Sequence, residues 1–206
     1  IAHFLTALST SCFASLAHEA TSRERVATPG SAAAQPPRLF ALSKFVDTVL
    51  INLKRIRILW PLVTQFLLPV ANHQTQRIRV LGMESLSKVL IASMRMHIAD
   101  QAAAAKKDSG GPGRGSAHDA WDYVLLAPLE ELQRRCAHRE TQEKIISAMH
   151  EVLMTCGAGL TDGWLLLLSI LWRAATKPSL VPLLPNAFRS VQLIASDFLP
   201  HLPPAC

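Results

Sequence analysis

The residues able to do chemistry are scattered along this chain rather than assembled. Residues 110–115 (GGPGRG) come nearest to a phosphate cradle. A working phosphate loop follows a strand, opens a helix and carries a Lys-Ser/Thr pair. None of that context surrounds these glycines, and Pro112 deletes one amide donor, so the segment reads as linker. The histidines, His3, His18, His73, His97, His118, His138, His150 and His201, stand singly. No HExxH is present, and Cys136 with His138 makes only half a metal site. Cys12, Cys136, Cys156 and Cys206 form no CxxC pair and suit neither zinc nor a disulfide framework. Buried, reduced thiols are expected instead. Ser43, Ser85 and Ser169 lack the strand-turn-helix elbow of a hydrolase nucleophile. Glu130 and Glu131 are neighbours on one expected helix and point apart. The sequence therefore predicts no catalytic residue, no metal ligand and no cofactor.

The elements that would position any site are helical throughout. Apolar residues recur at helical spacing, and strand-like alternation is hard to find. Half of the 206 residues are hydrophobic but only 6% are aromatic, so the core rests on Leu, Ile, Val and Ala, which suit packed helices. A first helix is expected over residues 1–18, burying Phe4, Leu5, Leu8, Phe13 and Leu16. Residues 21–37 read as a polar, Pro-containing loop whose Pro36 and Pro37 launch a second helix. That helix lines up Leu39, Leu42, Val46, Val49 and Leu53, with Lys44 and Asp47 outside. A third is expected over 56–70, with Pro61 in its first turn or else starting it. A fourth follows Thr75 as N-cap, with Ile78, Leu81, Leu86, Val89, Leu90 and Met94 inward.

Residues 102–119 are low in complexity and rich in Gly and Ala, and read as a flexible linker or inserted loop. Helices resume over 121–136, 141–155, 163–175 and 180–199, with Thr141 and Thr161 as N-caps and Gly157 and Gly159 as stops. Pairs at 56–97, 121–155 and 163–199 have the repeat length of HEAT and armadillo units. The fold class is thus all-α, a HEAT/armadillo-like solenoid of antiparallel helix pairs. Trp60, Leu86, Trp164 and Phe188 are expected in the core, as is Trp172. Trp121 borders the linker and stays open.

The formal charge is +6 with a pI near 9.5. The bases are spread out with no stacking aromatics between them, which argues against nucleic acid. Lys54, Arg55, Arg57, Arg77 and Arg79 are the candidates for contact with lipid headgroups or an acidic partner, against the plainer reading of a solvated face. The apolar run 164–172 is far short of the ~20 residues that cross a bilayer. The start at Ile1 and the Pro-rich end at Cys206 suggest an excerpt from a longer protein.

Residues 52–90 (NLKRIRILWPLVTQFLLPVANHQTQRIRVLGMESLSKVL) carry a recognisable phrase. Asn52, Arg55, Ile56, Ile58, Leu59 and Trp60 are followed by Asn72 and His73, then by Arg77, Arg79, Gly82, Glu84 and Leu86. This resembles the homology region downstream of Sec-seven in large Arf exchange factors. It is more similar to the Mon-two (monensin-sensitivity protein two) family, their relatives lacking the exchange domain. Phe4 to Ser9, residues 126–129, Gly163-Trp164, and 187–193 with 197–200 resemble the same family. Leu81 stands where a tryptophan is expected, and Arg57 where an acidic residue is more usual.

The resemblance implies helical repeats of the downstream-homology type over residues 1–99, a linker or insertion over 100–119, and further HEAT-like repeats over 120–206. It also implies a non-catalytic, cytoplasmic scaffold, peripheral on trans-Golgi network and endosome membranes. Implied partners are a Dopey-type protein, Arf-like GTPases, a P4-type flippase and an anionic membrane surface. Neither a nucleic acid nor a small-molecule substrate is implied. The competing readings are the regulatory downstream region of a true Arf exchange factor, and an unrelated solenoid adaptor of the importin kind.

Overall fold

The computed structural model describes residues 1–25, 40–107 and 120–199. Every element among these residues is helical, and the protein is all-α. Contacts divide the chain into two compact units, Ile1–Phe66 and Leu67–Cys206, and the division falls within a helix.

The first unit holds α1 (Ala2–Arg25), α2 (Phe40–Ile51) and most of α3 (Ile56–Ala71). α1 runs further than residue 18, to Arg25, because residues 19–25 contain neither Gly nor Pro. The rest of the expected loop, with Pro36 and Pro37, lies outside the described residues. The buried seam of α1 is narrower than its apolar content suggests. Leu5 and Cys12 are fully buried, whereas Phe4 and Phe13, on either side of the seam, are exposed. Phe13 still sets its ring edge-on to Phe66 at 5.3 Å. Phe66 also meets Phe45 of α2 at 4.4 Å, and Leu42, Val46 and Val49 complete that buried face. A single 3-10 turn, Leu53–Arg55, joins α2 to α3. Asn52 fixes it by donating from Nδ2 to the Thr48 carbonyl at 2.7 Å and accepting from the Arg55 amide at 2.8 Å. Since α3 begins at Ile56, Pro61 falls in its second turn, on the exposed side.

The second unit continues with α4 (Gln76–Lys107), α5 (Trp121–Arg135), α6 (Arg139–Cys156), α7 (Gly163–Thr176) and α8 (Leu184–Leu193). α4 extends through residues 102–107, within the expected linker, because alanine and lysine are strong helix formers. Residues 108–119 lie outside the described ones. The helix expected over 180–199 is broken into a 3-10 stretch, α8 and a π turn. Pro182 and Pro185 account for the break before α8, since neither can donate to a continuous ladder.

In this unit α4, α6 and α8 pack in one layer, and α5 and α7 in the other. The hydrogen bonds give the register. Between α5 and α7 they link residues 37 to 41 apart in sequence, and between α6 and α8 residues 40 apart. Same-layer helices therefore run parallel at a near-constant offset, as in helix-pair solenoids. From α4 to α6 the offset is 60 to 61. The excess over 40 is 20 residues, the length of the segment 100–119 expected as linker or insertion.

Candidate interaction surface

Lys54 and Arg55 lie on the 3-10 turn, Arg57 is the second residue of α3, and all three are exposed. Ile51 and Ile58 flank them, exposed to 84% and 78%. No acidic residue occurs between Asp47 and Glu84. This corner therefore pairs three cations with two uncovered aliphatic side chains. Arg77, also exposed, belongs to the second unit.

Arg79 does not belong with them. It is 4% exposed and acts as an internal clamp. Its Nη1 donates to the carbonyls of His73 and Gln74 at 2.9 and 2.6 Å, and its Nη2 reaches the Glu140 carboxylate at 3.4 Å. Adjacency in the sequence groups Arg77 with Arg79, yet two helical positions turn a side chain by about 200°, to the opposite face. Glu140 has its carboxyl held below the ordinary range chiefly by its own backbone amide, with smaller help from Arg79, against desolvation. The His73 imidazole is pushed down by burial and then by Arg79, and its Nδ1 accepts from the Thr75 amide at 3.0 Å. Thr75 precedes α4 at the N-cap position, and its carbonyl accepts from the Ile78 and Arg79 amides.

Of the residues expected in the core, Trp60 and Leu86 are buried. Trp164 is half-buried, with Nε1 donating to the Leu160 carbonyl at 3.1 Å and its ring 5.3 Å from Phe198. Phe188 and Trp172 are not core residues: they are exposed to 61% and 71%. Their neighbours Ala187 and Ala174 hold the inward positions, and one helical step moves a side chain by about 100°.

Buried polar groups were invisible to apolar spacing. Asp122 of α5 accepts at Oδ2 from the Thr161 amide (2.7 Å), the Thr161 hydroxyl (3.1 Å) and the Gly163 amide (3.0 Å). It caps α7 from another helix. Thr161, expected to cap α7 itself, is instead one of the donors. Thr141, expected to cap α6, lies inside it and is buried, with its hydroxyl 3.4 Å from the Ala71 carbonyl. Gln142 donates to the Gln133 and Cys136 carbonyls, and Gln133 donates to the Ile170 carbonyl. Fractional spacing signals none of this, because each partner is 6 or more residues away. Cys12, Cys136 and Cys156 are free and buried, and burial pushes the Cys12 thiol up to about 11. Among the described residues, no cluster of three or more His, Cys, Asp or Glu could hold a metal ion. No described helix is long and apolar enough to cross a membrane.

The architecture defines an all-helical protein of stacked helix layers. Residues 115–193 match the family model described as "Mon2/Sec7/BIG1-like, HDS". That match lies downstream of the phrase at 52–90. The chain is 31% identical over 170 residues to Protein MON2 homolog of Xenopus laevis, and 30% to that of Homo sapiens. The Drosophila melanogaster homolog is 28% identical. Each alignment covers 82% of this chain but 9% of the relative, so the chain spans about a tenth of the length of the curated relatives it matches. No solved structure matches it. The chain belongs to the Mon2/Sec7-like family.

Proposed function

We propose that this chain is a non-catalytic scaffold segment of a vesicle-trafficking protein. The single observation carrying that reading is similarity to Mon2 homologs across 82% of the chain. Its layered helices, which offer large surfaces, are consistent with it. The finer reading is a cytoplasmic protein held peripherally on trans-Golgi network and endosome membranes, serving transport between them. A Dopey-type protein, Arf-like GTPases and a P4-type flippase are its proposed partners. Lys54, Arg55 and Arg57, with Ile51 and Ile58 beside them, form the proposed contact with an anionic bilayer: cations meet the headgroups and the isoleucines enter the interface.

Two assays test this. The purified chain should not accelerate nucleotide exchange on Arf-family GTPases, and a rate well above the buffer control would overturn the scaffold reading. Arg55→Glu with Arg57→Glu should reduce sedimentation with phosphatidylserine vesicles, more at low salt than at high salt. Unchanged sedimentation would remove the corner from the membrane contact while leaving the scaffold intact.

A further inference from the structure

α7 is apolar on two opposite faces. Gly163, Leu166, Leu167, Ile170, Leu171 and Ala174 are buried. On the other side Leu165, Leu168 and Trp172, at i, i+3 and i+7, are exposed to 79%, 45% and 71%. In a stacked array such residues could simply await the next helix pair. The register argues otherwise. At the 41-residue offset set by Asp122 and Gly163, the outward positions of α7 correspond to Val124, Ala127 and Glu131 of α5. α5 already has a stacked neighbour on its far side, α7 itself, yet Val124 stays exposed and Ala127 and Glu131 stay half-exposed. At that register, a further helix pair stacked on α7 would leave these positions facing outward.

Tyr123 and Val124 extend the apolar surface onto α5. Charge is gathered at one end of it. α5 and α7 run parallel, so Arg134 and Arg135 at the end of α5 and Arg173 and Lys177 at the end of α7 share one edge. Glu131 pairs with both Arg134 and Arg135 and leaves a net positive charge there. Exposed aromatics beside arginines are the composition of interface hot spots.

We propose that the α5–α7 face docks an amphipathic, acidic helix of a partner protein. Its apolar side lies on Leu165, Leu168 and Trp172, and its carboxylates meet Arg134, Arg135 and Lys177. A lipid surface fits less well. Membrane-lying helices carry cations along the length of their polar flanks. Here the cations sit at one end, and Glu131 stands beside the stripe. The inference deepens the scaffold reading by naming the chemistry of one partner.

The test uses the full chain and labelled designed peptides of about 18 residues, long enough for five helical turns. One peptide has leucines at i, i+3 and i+7 and glutamates clustered at one end; its control carries lysines instead. Fluorescence anisotropy should show the glutamate peptide binding, and the lysine peptide binding at least about tenfold more weakly. Leu165→Ala with Trp172→Ala should weaken the glutamate peptide by about tenfold or more. Arg134→Glu with Arg135→Glu should do the same. Circular dichroism should be unchanged in both variants, since the altered side chains are exposed. Equal binding of the two peptides, no binding, or unaltered affinity in both variants would overturn the proposal. So would variants that lose only vesicle sedimentation, which assigns the face to lipid, or only self-association, which assigns it to a second copy. The Arf exchange assay is indifferent to these outcomes, so failure here and failure of the scaffold reading are distinguishable.

Discussion

Replacing Asp122 should loosen the start of α7 without touching α7 itself. The helix has no side-chain cap of its own at Asp162, and the amide of its first residue, Gly163, donates to Asp122 Oδ2. A hydrogen bond to a charged acceptor contributes ~1.5–3 kcal/mol, and a buried donor left without a partner costs ~1–3 kcal/mol. Thr161 is exposed, so water can replace Asp122 at its amide, but Gly163 is buried and has no such substitute. Asp122→Ala should therefore cost ~3 kcal/mol, and Asp122→Asn, which keeps one acceptor oxygen, ~1 kcal/mol. Hydrogen exchange read at Thr161 and Gly163 is the sharpest assay. A loss of ~3 kcal/mol corresponds to opening about a hundredfold more often. Urea melts of both variants supply the global number. An alanine variant within ~0.5 kcal/mol of the parent, with Gly163 as protected as before, would refute the argument that α5 caps α7.

Gly82→Ala should destabilise the second unit by ~1–3 kcal/mol in chemical melts, because overpacking outweighs the gain in helix propensity. Its Cβ would stand 2.6 Å from the Ala71 nitrogen and 2.7 Å from the Val70 carbonyl carbon, which are backbone atoms with no rotamer to yield. Trp60→Ala should cost ~3–5 kcal/mol in the first unit, read by thermal melting; a normally folded variant that lost a partner would make Trp60 an anchor instead. His73 predicts a pH dependence. Its folded pKa lies below the unfolded value, so its contribution is full above about 6.5 and declines as pH falls through the folded pKa. Urea midpoints should drop below that pH, and His73→Gln should flatten the drop.

The helices were largely legible because each has a face of closely spaced leucines, isoleucines and valines, and stacking needs little more. α3 and α5 begin where spacing puts them, at Ile56 and Trp121. Spacing fails where a helix is apolar on every side. In α7 the run 164–172 has only Ser169 to mark an outside, so Trp172 could be assigned to either face. Phe188 shows the complementary error, since a large aromatic reads as core by its type although Ala187 takes the inward position. Arg79 fails for a third reason. Alone it is one more base, and only the fold brings it to Glu140 and to the carbonyls before α4. The low-complexity stretch at 100–119 stood out by composition, and its length equals the register excess between α4 and α6. That α4 would carry helix into it depended on alanine propensity, which outweighed the composition there.

The offset of about 40 residues between α5 and α7 and between α6 and α8 bears on how the second unit would respond to force. Each helix pair is held by its neighbours at partners about 40 residues along the chain, so pulling from the carboxyl end would strip α7 and α8 before reaching α5 and α6. Each event would release 40 residues of slack, or ~14 nm when extended, and would appear as a separate tooth in a force-extension trace.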